Sequence, residues 1–225
     1  MQIMVIASPA IAPALPELAR EFERVAGHVV SLTYATAGAM TSAMAQPSID
    51  VVISTMEVID ALQAEDQLDG RRDIARVGLG VQTKRGAPEP DVSSVAAFRC
   101  AVLDARSLGY ADPASGAAAG RHAARLMEQL GIGPAVAART MLLSGSALLA
   151  AVACGDVELG LAPVSEILSE PAVALVGYVP SALQEMTVLT AAIRHSSSHR
   201  RAARAFVDFL SSAQTKKQLA ERGFA

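Results

Sequence analysis

Ile49-Asp50-Val51-Val52-Ile53-Ser54 is the stretch that decides the fold. It is apolar on both faces, and a helical pattern follows directly over Val58 to Gln63. A strand buried on two sides and followed at once by a helix belongs to a parallel sheet with helices on both faces. Upstream the same unit occurs twice. Ile3 to Ala7 reads as a strand, and Leu15, Leu18, Phe22 and Val25 recur at helical spacing over Pro13 to Val25. Gly27 ends that helix, as a residue free to take left-handed geometry does. Val29 to Tyr34 is the second strand, and a helix covers about Gly38 to Ala45.

Downstream the pattern breaks and restarts. Val77 to Gln82 reads as another strand, but Lys84 to Pro90 is a loop rich in turn formers. A second series follows: helix Ser94–Leu103, strand Ser107–Tyr110, helix Ala117–Leu130, strand Thr140–Leu143 and helix Ala147–Ala153. Strands near Glu158–Ala162 and Val173–Val176 complete it before the break at Pro180. Thr187 to Ile193 reads as a return strand, with closing helices over His199–Leu210 and Gln214–Glu221. A chain that leaves one α/β unit and returns to it implies two lobes joined by two crossover strands. We expect residues 1–82 with 186–225 in one lobe and 83–185 in the other, with a ligand cleft between them.

Composition excludes several classes. The net charge of −3, the scattered basic residues and the lack of Trp argue against a nucleic-acid groove. No apolar run reaches the ~20 residues of a membrane-spanning helix. Cys100 and Cys154 show no metal or redox spacing and read as small core residues. His28, His122, His195 and His199 form no ligand pair, so neither metal nor cofactor is expected. No secretion signal precedes the first strand. The chain is therefore expected to be cytoplasmic or a trimmed periplasmic form, and monomeric.

In such sheets ligands sit beyond the carboxyl ends of the strands. Three loops there carry a hydroxyl at a helix start: Ser8, Thr36 beside Ala37, and Thr55. Free backbone N–H groups and the helix dipole make such places suited to an anion. In the second series Asp112 to Gly120 is rich in small residues, and Ser115 and Gly116 with their N–H groups could cradle a carboxylate or oxyanion. Ser144 and Ser165 occupy the two remaining loops, and Glu166 follows Ser165. Plain capping and turn geometry account for any one loop alone. Their convergence argues for a small anionic ligand.

Ala7-Ser8, Glu17–Glu23, Gly27-His28-Val29, Ile49–Ser54 and Ala203–Ser211 resemble, in order and over nearly the whole chain, the molybdate-binding proteins of ABC importers. The resemblance implies a two-lobed type II periplasmic-binding-protein (Venus-flytrap) fold, with two mixed sheets flanked by helices and two crossover strands. It also implies oxyanion contacts at Ser8 and the Thr36 loop, backbone donors in the second lobe, and an importer's membrane subunit as partner if the chain is exported. Two positions depart from that pattern. Pro163 stands where the family has Tyr, and Ser115–Gly120 replaces its Val-Pro-Ala-Gly loop. Asp112–Gly116 together with Ser165–Leu168 is more similar to a divergent branch that includes aconitate isomerase, a cofactor-free enzyme. Two functions follow. A solute-binding protein needs only the clamp, whereas an isomerase of unsaturated carboxylates also needs an acid–base group. Tyr110, Asp112, His122 and Glu166 are its candidates, with Tyr110, Asp112 and Glu166 placed first.

Overall fold

The computed structural model describes residues 1–45 and 48–225. The chain begins β1 (Gln2–Ala7), α1 (Leu15–Ala26), β2 (Val29–Tyr34), α2 (Ala37–Ala43), β3 (Val51–Thr55), α3 (Met56–Ala64) and β4 (Leu68–Val77). It continues with β5 (Leu79–Lys84), α4 (Val95–Asp104), β6 (Leu108–Ala111), α5 (Ala118–Gln129), α6 (Gly133–Val136), β7 (Thr140–Leu143), α7 (Gly145–Cys154), β8 (Leu159–Pro163), α8 (Val164–Ser169) and β9 (Val173–Tyr178). It closes with β10 (Thr187–Arg194), α9 (Arg200–Leu210) and α10 (Ala213–Ala220).

Two compact units result, Met1–Val77 with Thr187–Ala225, and Gly78–Met186. Each is built on a five-stranded mixed sheet, ordered β2-β1-β3-β10-β4 in the first and β7-β6-β8-β5-β9 in the second. The plan is the same in both. Three parallel strands come first, then one antiparallel strand, and an edge strand closes the sheet.

The first division falls after Val77 rather than at residue 82, because Leu79–Lys84 pairs with β8 and β9. The strand expected over Val77–Gln82 is thus the end of one strand and the start of another, parted by Gly78. The ten-residue β4 is absent from the sequence reading. It carries Asp69, Arg71, Arg72, Asp73 and Arg76, and pairs within its sheet only with β10. Charge of this kind suits an edge strand, which must resist pairing with other chains, and it hides the strand from an apolar-pattern reading.

In the first unit β1, β3, β10, α1 and α9 share one core, where Phe22 and Phe206 meet edge to face at 5.0 Å. Ala225 and Arg76 exchange backbone hydrogen bonds of 2.7 and 2.8 Å, which fastens the last residue to β4. Asp50 is buried at the start of β3. Its carboxylate accepts from the Met4 N–H at 2.9 Å and the Ser197 hydroxyl at 2.6 Å, and faces His199 Nδ1 at 3.3 Å. The second unit packs Phe98, Val102, Leu126 and Met127 on one face of its sheet, and Leu148, Val152 and Ile167 on the other.

Both cysteines are exposed, contrary to expectation. Cys100 falls between Phe98 and Ala101 on the outward side of α4, and Cys154 is the last residue of α7. Among the described residues no helix is long and apolar enough to cross a membrane. Nor, among them, does any group of three or more His, Cys, Asp or Glu side chains lie close enough to hold a metal ion.

Candidate anion-binding loops

In the first unit the carboxyl ends of β2, β1 and β3 are neighbours, so the loops after them are neighbours too. Backbone bonds fix them: Ser8 N–H donates to Ile53 O at 2.7 Å, and Ala35 N–H to Ala7 O at 3.0 Å. The Ser8 hydroxyl accepts from Ala10 N–H at a long 3.4 Å, capping a short 3-10 turn. Thr36 is the residue before α2, which Ala37 opens, and its side chain makes no capping bond. Thr55 holds the same place before α3, likewise without a capping bond. Its hydroxyl and that of Ser54 are buried and have no hydrogen-bond partner. Leaving such a group dry and unpaired costs about 1–3 kcal/mol, so each marks a place where a partner belongs, and as successive residues of β3 the two point to opposite faces of the sheet. The sequence reading names Thr55 and passes over Ser54, whose burial no local pattern announces.

The groove between α2 and α3 is a different feature. It is lined by Ala37, Val58 and Ala61 and rimmed by Glu57 and Glu65, charges that repel an anion.

The second unit repeats the arrangement at β7, β6 and β8. The loop after β6 is largely occupied with its own folding. Asp112 accepts from Ala114 N–H at 2.9 Å, and the Ser115 hydroxyl donates to Asp112 O at 2.6 Å and accepts from Ala117 N–H at 3.3 Å. Gly116 has φ +76, a turn conformation that favours glycine. Gly120 packs so closely that a methyl group there would lie 2.2 Å from Ala111 O.

The loops after β7 and β8 meet. Ser144 precedes α7, is exposed, and makes no side-chain cap. Ser165 is buried in α8, next to Glu166 in the same first turn. The Glu166 carboxyl lies over the start of α7: a methyl group on Gly145 would sit 2.9 Å from Oε2. Burial pushes this carboxyl up to about 7, and no cation opposes the shift.

Two other candidates lie elsewhere. Tyr110 packs in the core with Leu108 and Leu126, and burial, with Glu128 adding, raises its hydroxyl pKa. Its neighbour Gly109 faces Leu148 and Val157, so by strand alternation Tyr110 points to the sheet face opposite α7. The fold therefore does not bring Tyr110 and Glu166 together. His122 is buried, with Nε2 bonded to Leu183 O at 2.9 Å, which ties α5 to the segment after β9. Gly145, whose missing side chain admits Glu166, is not among the sequence candidates, although Ser144 beside it is.

Two mixed sheets with helix starts gathered at one end of each define a type II periplasmic-binding-protein fold. The chain belongs to the bacterial extracellular solute-binding protein family, whose model matches residues 3–225. It is similar to the periplasmic molybdate-binding protein of Azotobacter vinelandii, with TM-score 0.83 and 19% identity over 99% of this chain and 98% of that one. The sulfate-binding protein of Mycobacterium tuberculosis H37Rv gives TM-score 0.78 and 17% identity over 100% and 86%. In sequence it is 29% identical to an aconitate isomerase of a Pseudomonas species, over 98% of this chain and 86% of that one.

Proposed function

We propose that this solute-binding protein takes a small carboxylate, with a di- or tricarboxylate such as aconitate as its ligand class. The observation that carries the reading is the buried, unpartnered hydroxyl of Thr55 at the start of α3, beside the Ser8 and Thr36 loops. This hydroxyl and the adjacent helix N–H donors suit an anion. The relationship to an aconitate isomerase over nearly the full chain favours a carboxylate over an inorganic oxyanion. Ser115, Gly116, Ser144 and Ser165 are the contributions we assign to the second unit, largely through backbone donors. If the chain is exported, the partner is the membrane subunit of an ABC importer. Calorimetry of Ser8→Ala and Thr55→Val with trans-aconitate tests the assignment. Each lost bond to a charged group should weaken binding by ~1.5–3 kcal/mol, roughly tenfold or more. Unchanged affinity in both variants would remove these residues from the site.

A second reading, that the chain interconverts cis- and trans-aconitate, is favoured by Glu166. A carboxyl pushed up to about 7 can gain or lose a proton at working pH, as a general acid–base group must. The reaction breaks an allylic C–H bond, delocalises the electron pair into the unsaturated acid, and returns a proton to the far carbon as the double bond moves. It needs no oxidant and no cofactor. Asp112 is less suited, because its oxygen already caps the turn after β6. Glu166→Gln should lower turnover at least ~100-fold, while Asp112→Asn should act mainly through the turn. Equal turnover in Glu166→Gln and the parent, followed by proton NMR, would exclude Glu166 from the chemistry.

A further inference from the structure

We propose that Glu166, laid against the uncapped start of α7 at Gly145, forms a carboxyl–carboxylate subsite that grips one carboxylate of the ligand through a shared proton. The proposal rests on the carboxylate reading above and deepens it. Three observations carry it. First, Ser144 does not cap α7 with its side chain, and the backbone bond at that end runs from Leu148 N–H to Ser144 O. The first N–H groups of a ten-residue helix thus point outward without a side-chain acceptor. Second, the Glu166 carboxyl lies against this spot, and glycine at 145 is what makes room for it. Third, that carboxyl is partly buried, which raises its pKa to about 7, and among the described residues it has no hydrogen-bond or ion-pair partner.

Apart from the α7 N–H groups, which the ligand carboxylate is to take, no charge on the neighbouring elements of this unit offsets a negative charge on it. Neither α7, β8 nor β9 carries a charged residue. On β5 the only cation is Lys84, which bonds to Cys154 O at the other end of α7. On α8 Glu166 itself is the only charged residue, and Glu170 follows the helix. An ionised Glu166 would repel an anion at the α7 start, whereas a protonated one donates to it. Two carboxyl groups this close cannot both stay ionised, so one proton is shared between them. Binding therefore takes up a proton, and a carboxylate, which can share that proton, fits the place.

Calorimetry of trans-aconitate binding tests this between pH 6 and 9, in buffers of different ionisation heat. In the parent, above pH ~7, binding should take up close to one proton, and affinity should fall by up to tenfold per pH unit. In Glu166→Gln that dependence should disappear. The ligand's own titration is common to both proteins and cancels in the ratio. Gly145→Ala, which displaces the carboxyl without touching it chemically, should weaken binding about tenfold at pH 6 and flatten the profile, the loss of one charge-assisted bond. Tight trans-aconitate binding with no proton uptake, or identical pH profiles in parent and Glu166→Gln, would overturn the shared proton alone. Absence of carboxylate binding in the parent at every pH would overturn the ligand class together with the subsite.

Discussion

Glu166 is where sequence and environment pull hardest against each other. Its position in the first turn of α8 is ordinary for a carboxylate, which helix starts favour when exposed to water. Burial against α7 reverses that preference and lifts the pKa to about 7. The sign of the consequence is fixed. The folded chain holds this proton more tightly than the unfolded chain, so the ligand-free protein loses stability as pH rises from the ordinary carboxylate range to about 7. Glu166→Gln should match the parent at pH 5 in urea unfolding and exceed it by roughly 2–3 kcal/mol at pH 8. A variant no more stable than the parent at pH 8 would mean that the carboxyl is solvated. From sequence the residue was visible as a candidate, but its burial was not, since that depends on Gly145 at the start of α7, twenty-one positions away. Ser54 and Thr55 differ in the same way. Their hydroxyls can be read off the chain, whereas their lack of partners belongs to the folded sheet.

At the scale of elements, the apolar strands and amphipathic helices were legible because their periodicities are strong. Val51–Thr55, Thr140–Leu143 and Arg200–Leu210 depart from their sequence readings by two residues or fewer. What escaped was β4, whose charged residues suit its edge position. The separation of Tyr110 from Glu166 also escaped, because it follows from strand alternation across two loops that only the sheet brings together. Gly120 ends the small-residue run after β6, and close packing accounts for it. Gly120→Ala places a methyl group 2.2 Å from the Ala111 carbonyl oxygen, backbone that cannot swing aside. It should destabilise the fold by ~1–3 kcal/mol, the scale of overpacking a filled site. Gly27→Ala, whose added methyl would meet nothing within 4 Å but whose φ is +66, serves as the comparison for backbone strain alone. Thermal unfolding would contradict the packing account if Gly120→Ala proved as stable as the parent.

For the whole molecule, each unit offers the same device: three parallel strands ending at one edge, with a helix start or tight turn after each. The repetition explains why the fold could be read from a chain of small apolar residues, and why the ligand could be read only as an anion. Hydroxyls and backbone N–H groups recognise negative charge without specifying what bears it. The narrower claim, a carboxylate, comes from Glu166 and from the relationship to an aconitate isomerase. The most direct test is isothermal titration of the purified protein at pH 6 with cis-aconitate, trans-aconitate, molybdate and sulfate. Saturable one-to-one binding of an aconitate, tighter than either oxyanion, is the expected result. Tight binding of molybdate or sulfate with no heat from either aconitate would contradict the account.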